Sequence, residues 1–212
     1  FTQGRNKQTT ADQLWILQHP PVFTQGLAGK PEHLLNANNI PVIQSDRGGQ
    51  ITYHGPGQLI AYPLLDLNKL KMGPKTYVNQ LESWIIAFLD KHNIRASRRK
   101  NAPGIYVNQK KICSIGLRVR KGFSYHGVAL NINMDLTPFT YINPCGFSEL
   151  KMCQLSEFSP NISIDNIKQS LVNQFIFAYE HTPVLGVLNF GGILNKEAGK
   201  KGYKGIRVVT DE

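Results

Sequence analysis

The 212-residue sequence predicts a single α/β domain. Two patterns carry this reading. Several apolar runs have strand length and stop at Gly or Pro, while two longer stretches repeat their apolar residues at helical period. A third observation is negative: no internal repeat or second-domain boundary interrupts the chain. At 41% hydrophobic and 18% charged, the chain can bury a sizeable core. It contains no run of 18 or more apolar residues, so no membrane span or membrane partner is expected. It begins at Phe1 rather than at a methionine, and no targeting segment is visible.

In chain order, Phe1–Asp12 is polar and reads as a loop or frayed helix end. Leu14–Leu17 is a short buried strand halted by His19-Pro20-Pro21. Val22–Lys30, with two glycines, reads as a loop; Pro31–Asn36 has room for one helical turn; Val42-Ile43 opens another strand. Ser45–Leu65 follows, with Arg47, the Gly48-Gly49 pair and a turn at His54-Gly55-Pro56-Gly57 between strand-like runs Gln50–Tyr53 and Gln58–Leu65. Glycines permit positive φ and close approach of a ligand to main-chain N–H groups. Beside Arg47 and His54 they could wall a pocket for a polar or anionic head group. A tight hairpin without a ligand is the alternative.

Tyr77–Ile94 places Tyr77, Val78, Leu81, Trp84, Ile85, Phe88 and Leu89 on one helical stripe, read as core. Gly104–Val107 and Lys111–Arg120 are strands around a turn at Asn108-Gln109. Alternation puts Lys111, Cys113, Ile115, Leu117 and Val119 on one face. A lysine drawn to the end of an apolar face loses hydration, and its pKa should fall, as suits a proton carrier. Snorkelling to water is the other option. Phe123–Asn133 returns as the partner strand across Lys121-Gly122. His126 in it is either catalytic or a hydrogen-bonded strand histidine. Thr137–Glu149 is loop, and Ile164–His181 is a second amphipathic helix behind Ser163. In the tail, Gly186–Leu194 is apolar and glycine-rich and Lys196–Lys204 reads as solvated.

The net charge of +10 is localised. Ten Lys and Arg and no Asp or Glu lie between Lys91 and Met134, and the remainder balances 14 against 14. Such a segment attracts an acidic partner or solvates a face. Three cysteines without a CxxC pair argue against disulfides and zinc and for a reducing compartment. Cys145, between Pro144 and Gly146, is the thiol presented on a turn. Cys113 falls on the apolar face, and Cys153 has no activating neighbour.

Five segments, in this order and spacing, resemble one family. They are Arg47–Gln58 (RGGQITYHGPGQ), Ala102–Val107 (APGIYV), Lys110–Gly116 (KKICSIG), Phe123–Gly127 (FSYHG) and Ile142–Gly146 (INPCG). The family is that of bacterial octanoyl-acyl-carrier-protein:protein octanoyltransferases of lipoate biosynthesis. The resemblance runs from about Leu14 to Tyr179. Relative to the family the chain lacks about one strand and helix before Phe1, and the tail after Pro183 is atypical. The catalytic domain is therefore residues 1–182 and the tail 183–212.

The resemblance implies a mixed sheet with packed helices, like the biotin and lipoate protein ligase catalytic domain. It implies that Cys145 accepts the acyl group and that Lys111 lowers the cysteine's pKa and shuttles its proton. It assigns acyl-substrate contacts to Arg47, Gly48, Gly49, Gln50, Ile51, Thr52, Tyr53 and His54, to Ser114, Ile115 and Gly116, and to Gly127, Val128 and Ala129. The implied partners are octanoyl-acyl carrier protein and the lipoyl domains of 2-oxoacid dehydrogenases and glycine cleavage H protein. Neither metal nor cofactor is expected, and the implied location is the cytoplasm. The alternatives are an ATP-dependent lipoate or biotin ligase on the same fold and, on the basic segment and Gly48-Gly49-Gln50 alone, a nucleic-acid-binding module.

Overall fold

A computed structural model describes residues 11–180, 202–203 and 206–211. Eleven strands form two sheets, and two long helices cover one of them. β1 (Asp12–Leu17), β5 (Gln58–Leu64), β7 (Gly104–Val107), β8 (Lys110–Arg120) and β9 (Phe123–Asn131) build the main sheet with β6 (Ser97–Arg98), β10 (Gly202–Tyr203) and β11 (Ile206–Thr210). Its order is β10-β11-β1-β5-β9-β8-β7-β6. Every pair in it is antiparallel except β1–β11, so the sheet is mixed. β2 (Val22–Gln25), β3 (Val42–Gln44) and β4 (Thr52–His54) make a second, three-stranded sheet in the order β3-β2-β4.

Helix α1 (Pro74–Lys91) starts with proline at its first position, where a missing N–H costs nothing. It buries Tyr77, Leu81, Trp84, Ile85, Phe88 and Leu89, the stripe its period predicts save for Val78, which is only half-buried. Helix α2 (Ile164–Glu180) buries Ile167, Leu171, Phe175 and Tyr179. The two lock where the Trp84 indole donates to the Leu171 carbonyl (3.2 Å) and meets the Phe175 ring edge-on at 4.7 Å. Leu14, Ile16, Leu59, Ala61, Cys113 and Leu130 form the sheet side of this core. A smaller core of Phe23, Ile51, Tyr53, Met134, Phe139 and Ile142 lies under the second sheet.

Three expectations change. Val22–Gln25 is a strand, not part of a loop, because it pairs with both β3 and β4. The His54–Gly57 turn closes no hairpin: β4 pairs with β2, whereas β5 pairs with β1 and β9. The turn instead hands the chain from one sheet to the other. Gly57 (φ +84°) is required there, since a Cβ would lie 2.0 Å from the Asn133 carbonyl.

The third change concerns Lys111. Across the β7–β8 ladder Ile105 faces Cys113 and Tyr106 faces Lys111. One step on β7 therefore matches two on β8, a β-bulge with Ile112 as the extra residue. Paired residues share a face and chain neighbours do not. Lys111 thus leaves the face of Cys113 and joins that of Tyr106, opposite to strict alternation.

The tail readings for Gly186–Leu194, and most of that for Lys196–Lys204, lie outside the described residues. Further on, β11 docks parallel to β1, with Ile206 2% exposed in the main core.

Glu82 is the one buried carboxylate on α1. It accepts from Arg98 Nε at 2.9 Å and from the Gly104 N–H at 3.3 Å. Arg98→Ala would leave this carboxylate without its cation. The expected cost is roughly 1–3 kcal/mol, since Arg98 itself is half-exposed. It should be read as a lower urea midpoint at unchanged slope; an unchanged midpoint would show that the pair adds nothing.

Candidate active site

The bulged strand and the Pro-Gly turn bring two sequence-predicted residues together. Lys111 Nζ donates to Cys145 Sγ at 2.9 Å. Cys145 sits in the left-handed region (φ +57°, ψ +17°) between Pro144 and Gly146. For a residue with a Cβ that conformation costs about 1 kcal/mol, which the surrounding contacts must hold. The Gly146 N–H bonds the Asn143 carbonyl (3.0 Å), and the Asn143 N–H bonds the His33 carbonyl (2.8 Å).

Lys111 is 1% exposed, so it does not snorkel. Its backbone is clamped on both sides, N–H to the Lys151 carbonyl and C=O from the Cys153 N–H. Its ammonium lies 5.5 Å from the centre of the Tyr106 ring. Burial alone pushes its pKa down, but the sulfur of Cys145 and the Tyr106 hydroxyl together outweigh burial, and the net direction is up. The expected fall is therefore reversed in this state, because the fall holds for a lone desolvated lysine and this one is paired.

Gly104 makes this placement possible. It has φ +133°, and a Cβ there would stand 2.4 Å from Lys111 Cε. In sequence Gly104 is one residue of the APGIYV motif with no evident role; only the bulge register brings it under the lysine.

Cys145 also lines an elongated, mostly apolar cavity of about 300 Å³ between the two sheets. Its floor is the face of the main sheet away from the helices. Ser114 pairs with Ala129 and Gly116 with Gly127, so this part of the floor carries small side chains or none. Ile60 and Tyr62 continue it on β5, and Val22, Thr24 and Ile43 form the roof. The roof has no signal in the sequence, because β2 is a strand only through its pairing with β3 and β4.

Of the predicted contacts, Arg47, Gly49, Gln50, Ile51, Thr52, His54, Ser114, Ile115, Gly116, Gly127, Val128 and Ala129 line the cavity. Two do not. Tyr53 points to the opposite side of β4 from Thr52 and His54, into the small core against Phe23 and Phe139. Gly48 instead donates to the Leu117 carbonyl at 2.8 Å and fixes the loop to β8. His126 lines the rim and bonds Asp46 (2.7 Å), the hydrogen-bonded-strand alternative. Cys113 and Cys153 are fully buried, and burial pushes both thiols up to about 12. Among the described residues no cluster of His, Cys, Asp and Glu could hold a metal ion.

A buried polar chain ties the cavity wall together. Arg47 donates through Nε (3.1 Å) and Nη2 (3.0 Å) to Thr24 Oγ1, and through Nη1 to the Gly48 carbonyl (2.9 Å). Gln58 donates to Asn131 Oδ1 at 2.9 Å and to the Tyr53 carbonyl at 3.3 Å, so its oxygen faces His54 Nδ1 at 2.7 Å. An amide oxygen only accepts, which assigns the proton to Nδ1 and leaves Nε2 to accept from Thr24 at 3.2 Å. Asn131 then donates to the Cys153 carbonyl (2.9 Å), whose own N–H bonds Lys111. Arg47 is 8% exposed, and among the described residues no carboxylate pairs with it. Burial lowers its pKa to about 10, so it stays a cation at neutral pH, with its donors spent on this wall.

Burial also holds His54 down at about 4, and the nearby Arg47 cation adds to this against the bond to Gln58. Between pH 6.5 and 4 the unfolded chain binds more protons than the folded one. His54's contribution is therefore full above pH 6.5 and is lost as pH falls through the folded value. The expected loss is up to roughly 3 kcal/mol across that window. His54→Gln should flatten the stability profile there; an unaltered profile would assign the loss elsewhere. Separately, Gly104→Ala should push the Lys111 ammonium off the sulfur. Iodoacetamide alkylation of Cys145 at pH 7 is expected to slow about tenfold, and parent-like alkylation would refute the role given to Gly104.

Residues 1–176 match the family model of the lipoyl protein ligase A/B catalytic domain. An octanoyltransferase of Coxiella burnetii (strain Dugway 5J108-111) is 54% identical over 187 residues, covering 87% of this chain and 77% of the relative. One from Legionella pneumophila (strain Paris) is 52% identical over 180 residues, covering 85% and 90%. In fold the chain is similar to a lipoate-protein ligase A bound with ATP (TM-score 0.67, 18% identity, covering 80% and 73%). It is also similar to a biotin protein ligase from Aquifex aeolicus (TM-score 0.53, 15% identity, covering 78% and 70%). The chain belongs to the octanoyltransferase family of acyltransferases, built on the lipoyl protein ligase A/B catalytic domain.

Proposed function

We propose that the chain moves an octanoyl group from octanoyl-acyl carrier protein, through a thioester on Cys145, to a lysine amine of a lipoyl domain. The observation that carries this reading is the 2.9 Å contact between Lys111 Nζ and Cys145 Sγ at one wall of an apolar cavity. An ATP-dependent ligase has no need of such a nucleophile.

In the first step Sγ attacks the thioester carbonyl, and the carbonyl carbon exchanges the carrier's sulfur for that of Cys145. The departing thiolate takes its proton from the Lys111 ammonium. The octanoyl-cysteine that remains is uncharged. Lys111, having given its proton to the departing thiolate, stands as the neutral base for the second step. In the second step the acceptor amine attacks the octanoyl carbonyl and gives its proton to Lys111. An amide forms and Sγ leaves, restoring the starting pair. Thioester exchange is nearly isoenergetic and the amide is more stable, so ATP is not required. The small-residue floor at Ser114, Gly116, Gly127 and Ala129 leaves room for a linear chain, and each buried CH₂ contributes about 0.8 kcal/mol. The excess positive charge between Lys91 and Met134 favours acidic partners. Among the described residues no helix is long and apolar enough to cross a membrane.

The test is intact-protein mass spectrometry after incubation with octanoyl-acyl carrier protein and no ATP. The parent should gain one octanoyl group, Cys145→Ala none, and Lys111→Met should acylate at least about a hundredfold more slowly. Lys111→Arg keeps the cation but cannot release its proton, so it should remain slow. Octanoylation that needs ATP and free octanoate, or that survives Cys145→Ala, would replace this reading with the ligase alternative.

A further inference from the structure

A second cleft, of about 620 Å³, is lined by the chain neighbours Lys110 and Phe147 of the Lys111–Cys145 pair. Its place follows from the sheet order. The acyl cavity is floored by β5, β9 and β8, the lysine stands on β8, and the second cleft lies over β7 and the turns flanking it. Tyr106 forms its back wall and is the residue whose ring meets the Lys111 ammonium. Phe147, two residues beyond Cys145 and 50% exposed, and Leu150 give it an apolar side. Asn101, Asn108 and Gln109 supply amides from the two turns. Arg99, Lys100, Lys110 and Lys151 line it against a single carboxylate, Glu149. Lys110 is engaged by Glu157 at 3.4 Å and Arg99 lies over the Tyr106 ring at 5.8 Å, which leaves Lys100 and Lys151 as its cations without a carboxylate partner among the described residues.

A thioester held for attack by Cys145 has two sides. If its acyl chain occupies the cavity over β5–β8, its leaving group must extend the other way, past Lys111 and Tyr106. We propose that the second cleft receives the 4′-phosphopantetheine arm of the acyl carrier protein. The arm's thiol end reaches Lys111 past Tyr106, its amides meet Asn101, Asn108 and Gln109, its gem-dimethyl group packs on Phe147 and Leu150, and its phosphodiester lies between Lys100 and Lys151. The proposal rests on the carrier-protein reading above. It adds a location for the leaving group and a reason for phosphate recognition, namely charge-assisted contacts to an otherwise unpaired anion. The chemistry balances as before: the pantetheine sulfur departs as a thiolate and takes one proton from Lys111.

The experiment compares octanoyl-pantetheine, octanoyl-4′-phosphopantetheine and octanoyl-acyl carrier protein as donors, following acyl-enzyme formation at Cys145. With the parent, KM for the phosphorylated small donor should be about tenfold below that of the unphosphorylated one. In the double variant Lys100→Ala/Lys151→Ala that ratio should collapse to within about twofold, and KM for the carrier protein should rise. Both lysines are exposed, so the fold is not at risk. Lys75→Ala removes an exposed charge on α1 away from the cleft and should keep the parent ratio. Equal KM values for the two small donors, or a ratio that survives in the double variant, would overturn the cleft assignment while leaving the acyl-enzyme reading intact. No adduct from any of the three donors would overturn both.

Discussion

A sulfur and an ammonium in contact at 2.9 Å, with the lysine out of water, is the constraint on which the rest of this structure depends. Neither group would hold that position alone. The lysine is expensive to bury and is retained by the sulfur, the Tyr106 ring and a backbone clamped at both N–H and C=O. The cysteine occupies a left-handed conformation that its Pro-Gly turn must sustain. Gly104 removes the Cβ that would separate the two. Glu82 and Arg98 in turn hold Gly104, so a surface-to-core ion pair between α1 and β6 reaches the site through one N–H.

The second requirement is a slot between two sheets. The chain obtains it by sending Ser45–Leu65 from the small sheet into the large one at Gly57 rather than folding it back as a hairpin. The buried chain from Arg47 through Thr24, His54, Gln58 and Asn131 to the Cys153 carbonyl then joins roof, turn and floor. Every polar group in it has a partner, which is the condition under which such a network rigidifies a wall. Arg47 spends its donors there, so its part is to shape the cavity while contributing a positive charge nearby.

The basic segment divides once its partners are known. Arg98, Lys110 and Arg118 are paired with Glu82, Glu157 and Asp46, and Lys111 is paired with Cys145. Composition counts these as equal to Lys100, but their charges are committed within the fold. Of the six basic residues of the segment that remain, Lys91, Arg95, Arg99, Lys100, Arg120 and Lys121, two line the second cleft, where Lys151 joins them from outside the segment.

From sequence alone, both helices and their buried stripes were legible, because period and propensity act locally. So was the β8–β9 hairpin, and five motifs in order single out Cys145 and Lys111, which the fold brings into contact. Local pattern could not reveal β2, four residues long and stable only between two partner strands. Nor could it reveal that Tyr53 turns away from the cavity while its neighbours face it. The direction of the Lys111 side chain was lost to a one-residue bulge, and the direction of its pKa shift to a neighbour 34 positions along the chain. The sequence by itself determined which groups are present and which segments are helix or strand, since those are short-range properties. Only the tertiary structure decided which groups meet and in what charge state, since ladder register and desolvation are set by residues distant in the chain.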